Sequence, residues 1–188
     1  MKSVRAFVAV LIDEVLVKRI AEVQDQAKKL APDVKWVAPS NFHLTLKFLG
    51  NVPEDGSPEI CSAVEDAVKP FSQFELSVSG LGAFPNAKRA RVVWVGVDSG
   101  LAQLSEVAAS IDLSLAGLGF EKEAKPFKGH VTIGRVKNSR HLDKLAQGMD
   151  EIPAEDLGIL RVDSVCLMQS ELHPDGPVYS PICVAKLG

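Results

Sequence analysis

The sequence predicts a mixed α+β fold built from two consecutive β-α-β-α-β halves, related by a pseudo-twofold axis within one domain spanning 1–188. Three observations predict it. Strand-like and helix-like segments run through one order and then repeat it. Landmarks of the two passes keep a near-constant spacing: Arg5 to Arg91 is 86 residues, His43 to His130 is 87, and Phe74 to Leu160 is 86. A length of 188 residues also suits one compact domain or two small lobes, here roughly 1–85 and 86–188, sharing a core.

In the first half, Arg5 to Ile12 is a β-prone apolar run of strand length. Asp13 can cap the next helix, whose face Leu16, Ile20, Val23, Ala27, Leu30 recurs at helical spacing. After Trp36-Val37 and Pro39 comes a strand from Asn41 to Gly50. Ser57-Pro58 supplies an N-cap and a first turn for a helix over about 58–69, and Phe74 to Phe84 is a strand. In the second half, Arg91 to Val97 is a strand. Ser99 is the candidate cap for a helix with face Leu101, Leu104, Ala108, Ile111, Leu115, Leu118, ended by Gly117 and Gly119. His130 to Val136 is a strand, and Ser139 opens a short helix carrying Leu142, Leu145 and Met149. Strands over Ile159 to Met168 and about Val178 to Leu187 close the chain.

Composition narrows the function. Hydrophobic residues at 46% and charged residues at 24% match a globular protein and exclude a disordered, collagenous or coiled-coil chain. The longest apolar runs, such as Phe7 to Ile12, fall far below the ~18 residues that span a bilayer, so no membrane partner is expected. The N-terminus lacks a signal peptide's long apolar core. A net charge of −3 gives no overall basic footprint for wrapping long nucleic acid. Three cysteines (Cys61, Cys166, Cys183) with no CxxC argue against a disulfide scaffold or zinc ribbon and for a reducing cytoplasm.

The chemistry lies in a repeated motif: His43-Leu44-Thr45-Leu46 and His130-Val131-Thr132-Ile133. Residues i and i+2 of a strand share a face, so His43 projects with Thr45, and His130 with Thr132. Leu44, Leu46 and Phe48, like Val131 and Ile133, are then expected toward the core. Two imidazoles and two hydroxyls would converge across a twofold. Such a set suits phosphoryl transfer: one imidazole takes a proton from the attacking oxygen and the other protonates the leaving oxygen. The hydroxyls can donate to the non-bridging oxygens as charge builds there. There is no HxH, HExxH, Walker loop or GxGxxG, so neither a metal nor another cofactor is expected.

Arg135 has the parity of Val131 and Ile133, but a bulge at Gly134 could re-aim its guanidinium toward a phosphate or base. Lys47 shares His43's parity, with a solvated lysine as the default. His141 is expected to be solvated, and His173 lies in the turn-like stretch Leu172 to Pro177, with a role in the cleft only as the minority reading. Residues 121–140 carry net +4 around His130, whereas 142–163 carry net −4. Phe7 is a candidate to stack on a terminal base.

Asn41 to Gly50 and Pro126 to Val136 resemble the two signature motifs of the two-histidine phosphoesterase superfamily. The closest resemblance is to its RNA 2′,3′-cyclic phosphodiesterase branch, also called the 2′-5′ RNA ligase family. It covers nearly the whole chain and includes Arg5 to Ala9, Leu81 to Pro85, Gln169 to Leu172 and Gly176 to Pro181. Phe42, where the family often has Leu, and Gly129, where it often has Pro, depart from the pattern. The resemblance implies a bilobal α+β fold with antiparallel-type sheets lining a central cleft, one motif on each wall and helices outside. It implies metal-independent hydrolysis of RNA 2′,3′-cyclic phosphate ends to 2′-phosphomonoesters, and the reverse reaction as 2′-5′ ligation. It makes His43 the proton donor and His130 the acceptor. The expected partners are RNA 3′ ends, tRNA halves among them, with no obligate protein partner and a monomeric chain. Two other readings stay open: a phosphodiesterase on a small cyclic nucleotide or cyclic-phosphate sugar, and a nucleotide-binding module without turnover. A binding module has no use for two opposed proton-transfer groups.

Overall fold

The computed structural model describes residues 2–137, 141–174 and 176–188. The first half forms β1 (Ser3–Leu11), α1 (Glu14–Leu30), β2 (Lys35–Trp36), β3 (His43–Pro53), α2 (Ser57–Val68) and β4 (Phe74–Phe84). The second forms β5 (Val92–Val97), α3 (Leu101–Ala116), β6 (His130–Arg135), α4 (Leu142–Gly148), β7 (Gly158–Val162), β8 (Ser164–His173) and β9 (Gly176–Lys186). Asp13 caps α1 as its position suggests, its carboxylate accepting from the Leu16 amide at 2.9 Å. The apolar face of α1 then packs on the sheet, with Leu16, Ile20, Val23 and Ala27 at 2% exposure or less.

One mixed-length antiparallel sheet runs β7-β4-β5-β6-β3-β1-β8-β9, with β2 beside β6. Its order is symmetric about the β6–β3 junction: β5 mirrors β1, β4 mirrors β8 and β7 mirrors β9. This corrects two expectations. The Phe74–Leu160 spacing does not relate equivalent strands, because Leu160 pairs with Leu76 of the neighbouring strand. Nor are the lobes the contiguous stretches 1–85 and 86–188, because β4 completes the sheet of β5 and β6, while β8 and β9 complete that of β1 and β3. The helix packing accounts for the exchange. The Ser110 and Ser114 hydroxyls of α3 donate to the Ala67 and Ala63 carbonyls of α2, both at 2.9 Å. The chain leaving α2 is thereby delivered alongside the opposite half. A single apolar core, including Val8, Ile20, Leu44, Val64, Val95, Ile111 and Val131, runs under both lobes on the helix side of the sheet.

Other local expectations are also revised. The α2 cap position is Gly56 rather than Ser57, and no side chain caps it. Gly100, at φ 81°, precedes α3 in place of Ser99, whose carbonyl instead accepts from the Ser77 amide at 3.2 Å. A Cβ at Gly100 would lie 2.3 Å from the Glu75 carbonyl oxygen, so this approach needs a glycine. The strand expected over Ile159–Met168 breaks at Asp163 into β7 and β8. Ser139 lies outside the described residues, and α4 begins after His141. His141 is not simply solvated, since its Nδ1 lies 2.9 Å from an Asp33 carboxylate oxygen. Finally, Cys61 and Cys183 form a disulfide across 122 residues of sequence, which removes the cysteine count as an argument for a reducing compartment. Docking of α2 beside β9 brings the two together, a contact that spacing does not reveal. Cys166 is free and buried.

Candidate active site

β3 and β6 meet through one residue pair, Leu44 opposite Val131, both fully buried on the helix side. The strands are antiparallel there, so the residues flanking the bridge face each other crosswise: His43 lies opposite Thr132, and Thr45 opposite His130. All four project to the side away from the helices, where β3 and β6 separate into the two walls of a cleft. Such cross-strand neighbours sit with Cβ atoms about 5–8 Å apart, close enough to share one small anion.

Both imidazoles are held in the same way. Nδ1 of His43 lies 2.8 Å from the Asn41 carbonyl, and Nδ1 of His130 lies 2.7 Å from the Lys128 carbonyl. A carbonyl can only accept, so Nδ1 carries the proton and donates it. This leaves Nε2 of each ring as the group that exchanges protons. Each ring also rests on aromatic neighbours. Phe7 lies under His43 at 4.8 Å between centroids, and Tyr179 meets its edge at 5.2 Å. Phe84 and Trp94 flank His130 at 5.0 and 6.4 Å. Phe7 and Trp94 are 87 residues apart, the same interval as the histidines.

Both histidines are held below the ordinary imidazole range. For His43 the main cause is burial, with smaller contributions from the charges of Arg135 and His130, partly offset by the Asn41 carbonyl. For His130 burial again leads and Arg135 adds to it, against the Lys128 carbonyl.

Matching bulges set which neighbouring side chains reach the cleft. In β3, Val8 pairs with Lys47 and Ala9 with Thr45, so Leu46 is the extra residue. In β6, Val93 pairs with Gly134 and Trp94 with Thr132, so Ile133 is the extra residue at the equivalent place. Each bulge reverses the alternation beyond it. In β6 this turns Arg135 to the exposed cleft side, where it lines one groove with His43, Thr45 and Thr132. In β3 it turns Lys47 inward and Phe48 outward, against the parity expectation for both. Lys47 is 3% exposed, pairs with Asp112 and donates to the Glu121 carbonyl at 2.7 Å. Phe48 is 59% exposed and lies 6.3 Å from the Phe7 ring. The buried Gln24 amide supports the second bulge, donating to the Ile133 and Val37 carbonyls at 2.8 and 2.7 Å.

Phe7 is only 4% exposed, with one face against His43 and an edge contact to Tyr179, so it has no free face for a base. It supports the imidazole instead. His173 lines the groove alongside Tyr179. Sequence reasoning missed the two carbonyl anchors, which have no side-chain signature, and the aromatic support from Trp94, Phe84 and Tyr179. Of these, Trp94 could have been found by adding the motif interval to Phe7.

The family model for LigT-like phosphoesterases matches the chain twice, over residues 10–94 and 95–179. The chain belongs to the LigT-like phosphoesterase family. The double match divides this LigT-like phosphoesterase near the midpoint, in keeping with the internal duplication. Several proteins named RNA 2′,3′-cyclic phosphodiesterase are similar over nearly their full length. That of Methanothermobacter thermautotrophicus is 40% identical over 98% of this chain and 100% of its own. That of Aquifex aeolicus is 35% identical over 100% of both chains. Among solved structures, E. coli LigT complexed with phosphate superposes with a TM-score of 0.76 at 22% identity, over 100% of this chain and 99% of that one. A Thermus thermophilus protein superposes at 0.73 with 27% identity over 97% of both.

Proposed function

We propose that this LigT-like phosphoesterase hydrolyses the 2′,3′-cyclic phosphate of RNA 3′ ends to a 2′-phosphomonoester by paired-histidine acid/base catalysis. The observation that carries this reading is the crossed set of two Nδ1-anchored imidazoles, each opposite the other motif's threonine. Nε2 of neutral His130 takes a proton from water as its oxygen attacks phosphorus. The P–O3′ bond breaks, and Nε2 of protonated His43 delivers its proton to the departing 3′-oxygen. The products are a 2′-phosphate and a 3′-hydroxyl, with His130 protonated and His43 neutral; exchange with solvent restores the starting pair. The Thr45 and Thr132 hydroxyls donate to the non-bridging oxygens, and Arg135 offsets the charge that gathers there. With an RNA 5′-hydroxyl in place of water as the attacking group, the same displacement forms a P–O5′ bond, breaks P–O3′ and gives a 2′-5′ phosphodiester.

The direction of the proton transfers has support in the asymmetry of the cleft. Among the described residues, His43 lines the open groove and His130 is not one of the lining residues. A nucleoside held in that groove keeps its 3′-oxygen on the His43 side, and in-line displacement puts water on the other, beside His130. The names of the full-length relatives support the substrate class. The test is turnover of a short cyclic-phosphate-ended RNA with EDTA present, followed by identification of the product. A 2′-phosphate formed at an undiminished rate is expected. A 3′-phosphate, or loss of turnover in EDTA, overturns the mechanism. Turnover confined to a cyclic mononucleotide or cyclic-phosphate sugar transfers the site to small substrates, and binding without turnover makes it a nucleotide-binding module.

A further inference from the structure

The groove that ends at His43 continues well past the space a cyclic phosphate needs, and its two walls differ in chemistry. It occupies about 980 Å³, near the upper end of the ~300–1,000 Å³ typical of small-molecule sites. One wall is cationic. Lys35 of β2 pairs directly with Arg135 of β6, so the two side chains share a face, and Lys137 follows just beyond. Lys35, Arg135 and Lys137 make no ion pair among the described residues; Lys28, further along, is already paired with Asp25 at 2.8 Å. No carboxylate lines the groove among the described residues, although the chain as a whole carries net −3. The opposite wall is the β8–β9 hairpin, which presents Pro177, Val178 and Tyr179, with Val178 54% exposed. The hairpin is tied to the catalytic strand, since the Asn41 side-chain amide donates to the Pro177 carbonyl at 2.8 Å. The cationic wall is fixed as well. Trp36, itself a lining residue, donates its indole N–H to the Ala31 carbonyl at 3.2 Å. Its ring packs so closely on Gly134 that a Cβ there would lie 2.9 Å from it.

We infer that this groove is a track for the RNA strand immediately upstream of the cyclic end, with Lys35 and Lys137 meeting backbone phosphates and the Pro177–Val178 wall meeting bases. This rests on the proposed cyclic phosphodiesterase reading and specifies its substrate as a polynucleotide rather than a mononucleotide. A single strand separates phosphates from bases along its length, and a groove with one cationic and one apolar wall matches that division. A mononucleotide has no phosphate upstream of its own ribose and would leave both lysines idle.

The experiment compares a cyclic-phosphate-ended RNA tetranucleotide with a 2′,3′-cyclic mononucleotide, in the wild type and in the Lys35→Gln/Lys137→Gln double variant. The expected result is a loss of kcat/KM on the order of tenfold on the tetranucleotide. Mononucleotide turnover should stay unchanged, and the salt slope for the tetranucleotide should flatten by about 1.4, since each single-strand phosphate contact contributes about 0.7. A parallel fall on both substrates, or an unchanged salt slope, overturns the inference. Fluorescence anisotropy with a tetranucleotide ending in a 2′-phosphate separates this inference from the catalytic one. If no cyclic end is cleaved but the double variant still binds the tetranucleotide more weakly with a flatter slope, the track stands and the activity falls. If cyclic ends are cleaved but the variant binds as the wild type does, the track falls and the activity stands.

Discussion

Replacing Lys47 with methionine should destabilise the protein strongly even though the residue stands two positions from Thr45 of the first motif. The Lys47 ammonium is buried beneath the sheet, pairs with Asp112 of α3 and donates to the Glu121 carbonyl. Without it, the Asp112 carboxylate, whose side chain is 18% exposed, keeps only the Glu123 amide at 3.2 Å as a partner among the described residues. Breaking one side of a buried pair costs about 3–5 kcal/mol, and the partial water access of Asp112 places this case near ~3 kcal/mol. For a chain of this length each kcal/mol moves Tm by about 2–4 °C, so a fall of about 6–12 °C is expected in thermal unfolding followed by circular dichroism. Most of that loss should return in Lys47→Met/Asp112→Leu, because an apolar pair of similar volume leaves no charge stranded. Activity measured well below the transition should persist, since Lys47 faces away from the cleft. The bulge and the buried pair are misassigned if the single variant melts within about 2 °C of wild type, or if the double variant is no more stable than the single.

Four other outcomes test the site and the fold. His43→Ala and His130→Ala should each lower kcat by about 10²–10⁴-fold, and the double variant should lose little more than the worse single because the pair acts as a unit; near-normal turnover in either single variant refutes the pairing. Thr45→Val and Thr132→Val each remove a donor from developing charge, which costs about 10²–10³-fold in kcat at comparable sites; a rise in KM alone would confine them to ground-state binding. Arg135 adds to the burial that holds both imidazoles down, so Arg135→Gln should raise both pKa values and move the bell-shaped kcat/KM profile to higher pH; a stationary or acid-shifted profile places the guanidinium elsewhere. Reductant should lower the urea midpoint of the wild type, by an amount equivalent to about 2–4 kcal/mol, and leave Cys61→Ala/Cys183→Ala unmoved; equal sensitivity of the two proteins argues against the disulfide.

The parts of this fold that depend on local rules are visible in the sequence. Phe74–Phe84 forms a strand with the expected bounds, Asp13 caps α1, and the two histidine strands lie at the expected places. Interval and parity together are enough to put His43, Thr45, His130 and Thr132 on one face, because the Leu44–Val131 bridge lies inside both motifs and before either bulge. Past Leu46 the same reasoning fails. A bulge is set by pairing with a neighbouring strand, and the sequence of β3 alone does not announce that Leu46 is skipped. Lys47 and Phe48 therefore exchange sides, whereas Gly134 gives a hint of the equivalent event in β6. The exchange of β4 and β8 between the lobes and the Cys61–Cys183 bond depend on how helices dock across the midline. Gln24 shows the same limit on a smaller scale: it stands on the apolar face of α1, and only the tertiary structure shows that its amide serves the Ile133 carbonyl.

Duplication builds a site with two equal imidazoles, yet the proposed reaction needs one acid and one base, so something outside the repeated motif must distinguish them. The motif interval matches His43 with His130, Thr45 with Thr132 and the supporting Phe7 with Trp94, and the anchoring carbonyls of Asn41 and Lys128 correspond as well. None of these distinguishes the halves. Just after the bulges, the correspondence breaks: Lys47 matches Gly134, and Phe48 matches Arg135. The Gly134 side admits Trp36, which docks β2 against β6 and so sets Lys35 beside Arg135. The Lys47 side instead buries its cation against α3 and offers the cleft only the apolar Phe48. The groove lined by Lys35, Arg135 and Lys137 accordingly lies on the β2 side of the twofold. On the proposed reading, an anionic strand would enter from that side with its ribose beside His43, leaving the approach beside His130 to water. On this account the acid and base roles follow from where β2 pairs, not from any difference between the two His-x-Thr motifs themselves.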